Sequence, residues 1–189
     1  TVWPALAVGT RPIKSPASFF KKLSSGHLLV TDSTTDISID LQSLVRLLNV
    51  ARDTGAGLVY SDYFDLVHGK LSAHPLNDCQ AGSIRDDFNF GCLYILSAAA
   101  VQNAIRKFGA PPGDAPAAWY DLRLKISIHH DILHVPEFLY TAAAIKPNPA
   151  GKPAFKAEAQ FNYVAKENFV RQKKMEKVAT NYLKQIGAY

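Results

Sequence analysis

Two carboxylates follow short apolar runs that have the length of buried strands. Asp32 comes directly after His27–Thr31 (HLLVT), and Asp62 comes shortly after residues 57–60 (GLVY). In open α/β sheets, ligands bind beyond the carboxyl ends of the strands, so both residues lie where a site would form. Carboxylate oxygens at such a place can hold Mg²⁺ or Mn²⁺ against a diphosphate. The alternative is that the acidic residues here form turns and caps, which is the interpretation we prefer for Asp36.

A third carboxylate, Asp121, lies in residues 117–127 (AAWYDLRLKIS), where two secondary structures compete. Apolar and polar residues alternate along this stretch, as they would in a strand. Helical spacing of apolar residues, a preceding cap and a first-turn proline favour a helix, which is our prediction. The apolar residues at helical spacing are Trp119, Leu122 and Ile126, the cap is Asp114, and the first-turn proline is Pro116. The positive end of that helix would favour ionised Asp121, although an acidic residue on a solvated first turn is the simpler explanation of the spacing.

Other kinds of site chemistry have no matching pattern in the chain. There is no glycine-rich phosphate loop and no GxSxG nucleophile motif. Cys79 and Cys92 have neither CxxC nor zinc-ligand spacing, so we expect two unpaired core residues. His129, His130 and His134 also lack the spacing of zinc ligands, and we interpret them as surface or core residues. Carboxylates are therefore the only chemistry that the sequence supports.

The composition is that of an ordinary globular domain with a moderate positive charge. The chain has 189 residues, of which 48% are hydrophobic and 20% are charged, with a net charge of +5. This length suits one domain with a substantial core. The positive charge fits an anionic ligand or a solubilising surface better than nucleic acid, because no basic stripe is interleaved with aromatic residues. We therefore expect no nucleic-acid partner.

The first residues, TVWPALAV, contain neither a basic n-region nor an initiator Met. They therefore predict no signal peptide, and we expect the chain to be a fragment or a processed form. No apolar run approaches the roughly 20 residues that a membrane span requires, so no transmembrane segment is predicted. These features lead us to expect a cytoplasmic protein.

The first third of the chain is predicted to contain alternating helices and strands. Ser15 and Pro16 open a helix over residues 15–26, and the strand His27–Thr31 follows. Asp40 caps the next helix, which ends at Gly55 before a second apolar strand. Helix, strand, helix, strand is the signature of parallel strands that are joined by crossover helices.

The middle of the chain is less regular. A hairpin is predicted around His68-Gly69-Lys70 and a short strand over residues 92–96. Ser97 caps a helix that Gly109 ends. After the helix that carries Asp121, residues 132–135 and 138–142 form two apolar runs on either side of Pro136-Glu137.

These elements predict an α/β fold, with a mostly parallel central sheet and helices on both faces. We expect one α/β domain over residues 1–146, followed by a linker and a C-terminal helix over 147–189 that pack on the same domain. The helix runs from about Lys166 to Ile186, is amphipathic and is stopped by Gly187. Its apolar face consists of Phe169, Met175, Val178, Tyr182 and Ile186.

Several of these stretches, taken in order, resemble glycosyltransferase family 2. HLLVTDSTTDISIDLQSLVRLLNVA followed by GLVYSDY is similar to that family's strand, Asp-x-Asp metal motif, helix and next strand. DFNFGCLYILSAAAVQNAIRKFGA resembles the strand, helix and glycine-ended turn of the acceptor side. WYDLRL resembles the family's acidic motif followed by Leu-Arg-Leu, and HVPEFLYTAAA the short strand after it. The resemblance covers most of residues 27–144 and implies the GT-A glycosyltransferase fold.

The resemblance also implies an activity, namely inverting transfer of a sugar from a nucleotide-sugar to an acceptor hydroxyl. Asp121 matches the general base that removes the proton of the attacking hydroxyl. Trp119, Arg123 and Asp62 are then expected to bind substrate, with Arg123 orienting Asp121 or contacting a phosphate. An ordinary salt bridge is the alternative for Arg123. A metal ion at Asp32, or at Asp62, would stabilise the departing diphosphate.

Two departures from the family pattern keep other interpretations open. Thr34 replaces the second Asp of the metal motif, and a hydroxyl is a poorer Mg²⁺ ligand than a carboxylate. The family's opening βαβ segment, which holds the nucleotide base, also has no match here. Both departures favour a catalytically silent relative that binds carbohydrate or protein. A pyrophosphorylase-like enzyme is a third interpretation, disfavoured because no glycine-rich basic loop is present.

Overall fold

The structure, a computed structural model, describes residues 26–32, 35–112, 115–144 and 166–188. These ranges contain six strands and four helices. The strands are β1 (His27–Thr31), β2 (Thr35–Ser38), β3 (Leu58–Val67), β4 (Lys70–His74), β5 (Leu93–Ser97) and β6 (Ile132–Ala144). The helices are α1 (Leu41–Thr54), α2 (Ala98–Phe108), α3 (Ala115–Ser127) and α4 (Lys166–Gln185). Four predicted features lie outside the described residues: residues 15–25 of the first predicted helix, Thr34 of the metal motif, the cap Asp114 and the linker.

The sheet is mixed, so the expected mostly parallel architecture is wrong. Its strand order is β1-β5-β3-β6-β2, and β4 pairs with β3 off this path. Only the β3–β6 pair is parallel among the described strands, whereas the β1–β5, β2–β6, β3–β4 and β3–β5 pairs are antiparallel. The helix–strand alternation predicted parallel strands that are joined by crossover helices. Instead, β5 comes from farther along the chain, lies between β1 and β3 and runs antiparallel to both.

Strand β6 is one continuous strand, although two separate runs were predicted. Its ladder with β3 is irregular where Ser61 and Asp62 face Val135 and Phe138, so Pro136-Glu137 leaves the pairing. Proline has no backbone N–H to donate to a ladder, which explains why the irregularity falls there. The break in the apolar pattern therefore marks a bulge and not the end of a strand.

The predicted ends of two helices are confirmed by their capping contacts. The Asp40 carboxylate accepts a hydrogen bond of 2.8 Å from the amide of Ser43 at the start of α1, and Gly55 ends this helix with a φ of 68°. The Ser97 hydroxyl accepts from the amide of Ala100 at the start of α2. These short-range contacts satisfy amide groups that would otherwise have no partner in the first helical turn.

The hairpin is also confirmed, but the interpretation of Asp36 is wrong. His68 and Gly69 connect β3 to β4 with φ values of 50° and 74°, the positive values that tight hairpin turns require. Asp36 was interpreted as a turn former or cap. It lies inside β2, opposite Ala143 of β6, and Asp40 provides the cap.

Two core clusters lie on opposite sides of the strands. Successive strand residues point to opposite faces, so Leu58 and Val59 belong to different clusters. The first cluster joins the sheet to α2 and α3 through residues such as Val101 and Leu122. The second joins the sheet to α1 through Leu47. Full burial of each such side chain contributes about 1.5–3 kcal/mol to folding.

Helix α4 has the predicted position in the sequence but a narrower buried face. Met175, Val178 and Tyr182 pack against α3, whereas Phe169 and Ile186 are 54% and 42% exposed. The predicted face is therefore correct only in its middle, because α3 contacts only that part of the stripe. No helix within the described ranges is both long enough and apolar enough to span a membrane.

Candidate functional site

Helix α3 carries three of the predicted site residues and is covered on almost every side. The sheet and α2 cover Leu122 and Ile126, and α4 covers Tyr120 and Leu124. Asp121 is only 6% exposed and lies in the middle of this helix. The interpretation of Asp121 as a residue on a solvated first turn is therefore wrong.

Asp121 forms an ion pair with Lys125, one helical turn later. Its Oδ2 lies 2.6 Å from the Lys125 Nζ, and the same Nζ donates to the carbonyl of Gly109 at 3.1 Å. Burial raises the pKa of the Asp121 carboxyl, although the ammonium of Lys125 acts in the opposite direction. Both charges are thus compensated inside the protein, on the side of α3 next to the end of α2.

Arg123 points away from Asp121 and holds a different part of the chain. It donates one hydrogen bond to the carbonyl of Ser83 at 3.2 Å and another to that of Arg85 at 2.5 Å. Its guanidinium also lies over the rings of Phe90 and Tyr120, and burial lowers its pKa. These contacts do not support the expected role of Arg123 in orienting Asp121.

The segment anchored by Arg123 connects β4 to β5, and we call residues 75–92 the connecting segment. Side chains of the sheet hold its beginning. The Tyr60 hydroxyl donates to the carbonyl of Asn77 at 2.6 Å and accepts from the amide of Cys79 at 2.8 Å. Asp62 accepts from the amide of Leu76 at 2.7 Å. Asp62, a predicted substrate or metal ligand, is therefore used to position the connecting segment.

A histidine that was assigned no site role completes this anchor. The His134 side chain is buried, and its ring stacks on Tyr60 with 4.9 Å between ring centroids. Its Nε2 lies 2.8 Å from Asp62, and its Nδ1 lies 2.8 Å from the exposed Asp78. The signal that could have revealed it is its place in β6 directly opposite Tyr60 in β3, a non-local pairing.

Asp32 and Asp62 have different hydrogen-bond partners in the structure. Asp32 is exposed, and its carboxylate accepts from the Thr35 hydroxyl at 3.3 Å. Asp62 lies inside β3 instead of beyond its end, and its Oδ1 is already engaged by an amide and an imidazole. Within the ranges that the structure describes, no three His, Cys, Asp or Glu residues are grouped as metal ligands.

The three predicted carboxylates are therefore held by different partners. Asp32 contacts Thr35, Asp62 contacts His134, and Asp121 contacts Lys125. Their hydrogen bonds and ion pairs do not join them into one site.

A cavity of about 230 Å³ does bring two predicted site residues together. Trp119 and Arg123 both line it, whereas Asp32, Asp62 and Asp121 are absent from its lining. We call it the aromatic cavity, because three aromatic side chains of residues 88–94 lie beside Trp119. The aromatic lining consists of Phe88, Phe90, Tyr94, Trp119 and Tyr120, and the deeply buried aliphatic lining of Leu58, Leu96, Leu122 and Ile126.

Two charged groups of the aromatic cavity lie at its exposed side, whereas Arg123 is buried. Asp86 of the connecting segment and Arg171 of α4 both line it and are exposed. Asp86 is flanked by Arg85 and Asp87, which pair with each other at 2.9 Å. The carboxylate of Asp86 is thus the acidic group of the cavity lining. Sequence reasoning missed it, because residues 82–91 (GSIRDDFNFG) show only turn-forming and charged residues.

Comparison with known proteins adds no assignment to this geometry. Neither a scan of protein-family models nor a search of curated proteins finds a match for this chain.

Proposed function

We propose that this chain transfers a sugar from a nucleotide-sugar donor to an acceptor hydroxyl, and that the aromatic cavity is its acceptor side. One observation carries the proposal. Trp119 and Arg123, expected to bind substrate, line the same cavity as Phe88, Phe90 and Tyr94. The family resemblance assigned the first two to the acidic motif and the other three to the acceptor side. Two separate parts of the resemblance thus meet at one place.

The reaction needs a base at the acceptor oxygen. This oxygen forms a bond to the anomeric carbon, while the bond from that carbon to the diphosphate oxygen breaks. The nucleoside diphosphate leaves with the electron pair, and the hydroxyl proton passes to a carboxylate. In this proposal the carboxylate is Asp86, because it lines the cavity and is exposed to solvent.

The proposal departs from the family expectation at Asp121. Asp121 lies 2.6 Å from Lys125, and Asp121 is not among the residues that line the cavity. These contacts suit a structural ion pair. Catalysis by Asp121 remains an untested prediction from the resemblance. No step of the proposal passes through Mg²⁺ or Mn²⁺, since Asp32 and Asp62 contact different partners.

A second candidate is a catalytically silent relative that binds a carbohydrate or a protein. The burial of Asp121 against Lys125 favours this candidate, because the residue that matches the family's base is withdrawn from the cavity. The two candidates differ in turnover and not in ligand binding.

Release of nucleoside diphosphate from a panel of nucleotide-sugars, with and without acceptor alcohols, tests the proposal. Asp86→Asn keeps the shape and loses the basicity, so we expect a rate about 10²–10⁴-fold lower. Asp36→Asn is the control, because Asp36 is exposed on β2 and does not line the cavity. Loss of transfer in Asp121→Asn, with Asp86→Asn fully active, would restore the family assignment. Ligand binding without any turnover would favour the silent relative.

A further inference from the structure

The inner lining of the aromatic cavity offers little to a hydroxyl-rich ligand. Its deepest residues are aliphatic, and Leu58, Leu96 and Ile126 are each no more than 3% exposed. A sugar ring placed among them would bury several hydroxyl groups without hydrogen-bond partners, which is unfavourable. An apolar ring would instead gain from leaving water.

The aromatic side chains favour a flat or compact ring. Phe88 and Phe90 lie 4.6 Å apart between ring centroids, and the rings of Tyr94 and Trp119 meet edge to face at 6.3 Å. Aromatic groups add favourable contacts of this kind to a bound ring. The cavity volume of about 230 Å³ is below the roughly 300–1,000 Å³ of sites for drug-sized ligands, which suits a single ring.

The polar groups of the lining differ in what they contact. Arg123 and Tyr120 line the cavity, but both already donate hydrogen bonds to carbonyls of the connecting segment. Asp86 and Arg171 lie at the exposed side. Inside, the phenol of Tyr94 lines the cavity, and burial raises its pKa. A ligand that is apolar at one end and carries a hydroxyl at the other would match this distribution.

We propose that the aromatic cavity binds the ring of an apolar alcohol, with the hydroxyl at Asp86, so that the acceptor is an aryl or cycloalkyl alcohol and not a sugar. This inference rests on the proposed function for the ligand's role as acceptor. The binding itself depends only on the cavity. The hydroxyl lies at the one place in the lining where a carboxylate can take its proton.

Titration calorimetry with 4-methylbenzyl alcohol, p-xylene and methyl α-glucoside tests the ligand class on the full chain. We expect the alcohol to bind at least tenfold more tightly than methyl α-glucoside. Asp86→Ala should weaken the alcohol several-fold and leave p-xylene within twofold, because only the alcohol has a hydroxyl. Preference for methyl α-glucoside, or loss of p-xylene binding in Asp86→Ala, would overturn the assignment.

Two wall variants locate the binding. Trp119→Ala and Phe88→Ala should each raise the dissociation constant of the alcohol about tenfold, whereas Phe138→Ala, an exposed aromatic residue of β6, should not. Urea midpoints identify a variant that fails to fold, and the other wall variant then decides. Alcohol binding without transfer would contradict the proposed function but support the ligand class. Transfer to sugar acceptors without alcohol binding would contradict the ligand class alone.

Discussion

Charged side chains have different roles on two sides of helix α3. On one side, Asp121 and Lys125 neutralise each other next to the carbonyl of Gly109. On the other, Arg123 donates to two carbonyls of the connecting segment and, with Trp119, lines the aromatic cavity. Residues only two positions apart therefore have different roles. The difference shows that a buried charge indicates a site only when it borders space for a ligand.

The cause of this difference is what covers each side of the helix. The Asp121 side meets the end of α2, where a backbone carbonyl can share the ammonium of Lys125. The Arg123 side meets the connecting segment, which has no strand partner there and is held by side chains. A segment held in this way can present Asp86 to the cavity without belonging to the sheet.

The largest expected effect comes from breaking the Asp121 side. Lys125→Met leaves the carboxylate of Asp121 buried without its cation, so we expect a loss of about 3–5 kcal/mol in the free energy of unfolding at pH 7. Urea denaturation measures this loss. The double variant Asp121→Leu with Lys125→Met should recover wild-type stability or exceed it, because a buried ion pair is often replaceable by apolar residues.

The same variant has a pH dependence with a definite sign. Because the pKa of Asp121 is raised above its unfolded value of 3.8, this residue favours the folded state most below that value and less as the pH rises. Because the ammonium of Lys125 lowers this pKa, its loss in Lys125→Met raises the pKa further, so the deficit should be largest at neutral pH and shrink towards pH 3.8. A deficit that stays the same between pH 7 and pH 3.8 would show that Lys125 does not affect the pKa of Asp121.

A smaller effect is expected from the other side of α3. Arg123→Met removes two charged hydrogen bonds from the carbonyls of Ser83 and Arg85, so we expect a loss of about 1.5–3 kcal/mol. The connecting segment should also exchange amide hydrogens faster and be cleaved sooner by protease. Arg46→Met is the matched control, since its ion pair with Glu137 is exposed and screened by solvent, so we expect a smaller loss of stability. Equal losses of stability in Arg123→Met and Arg46→Met would contradict the stronger role that we assign to the buried contacts of Arg123.

A third prediction contrasts Asp121 with an exposed structural carboxylate. Hydrogen bonds from Ser43 lower the pKa of Asp40, so its contribution to stability is present above pH 3.8 and is lost as the pH falls through the lowered value. Asp40→Ala should lower the urea midpoint at pH 7, and Asp40→Asn should lower it less, because Asn also caps helices. The difference between wild type and Asp40→Ala should shrink in acid.

The smallest effect is expected from metal ions. Asp32 and Asp62 have separate partners, so titration with Mn²⁺ or Mg²⁺ alone should give weak binding or none. Calorimetry without nucleotide measures this, and a second titration with nucleoside diphosphate separates binding to the nucleotide. Tight binding of the metal alone would mean that the chain supplies more oxygen ligands than these two side chains.

The parts of the fold that could be predicted from sequence depend on short-range chemistry. Asp40, Gly55 and Ser97 end or begin helices through contacts within a few residues, and the hairpin follows from His68-Gly69. The sheet order could not be predicted, because the insertion of β5 between β1 and β3 is a long-range event. Helix–strand alternation contains no signal for it.

In the candidate site, too, some features could be predicted from the sequence and others depend on long-range packing. Trp119 and Arg123 were predicted as substrate-binding residues, and the cavity contains both. The surroundings of Asp121 could not be predicted, since the Lys125 spacing is visible but the Gly109 carbonyl and the burial come from tertiary packing. Asp86 looked like one charge among several in a turn-rich segment, and only its position beside the cavity distinguishes it.

The most direct test of the account is which side of α3 responds to ligand. In ¹⁵N-labelled protein, 4-methylbenzyl alcohol should shift the indole N–H resonance of Trp119 and leave the amide of Gly109, beside Lys125, in place. The chain has two Trp residues, so Trp3→Phe assigns the Trp119 signal. A saturable shift at Trp119 alone is the result we predict. A shift at Gly109 with none at Trp119 would place the site on the ion-pair side and contradict the account.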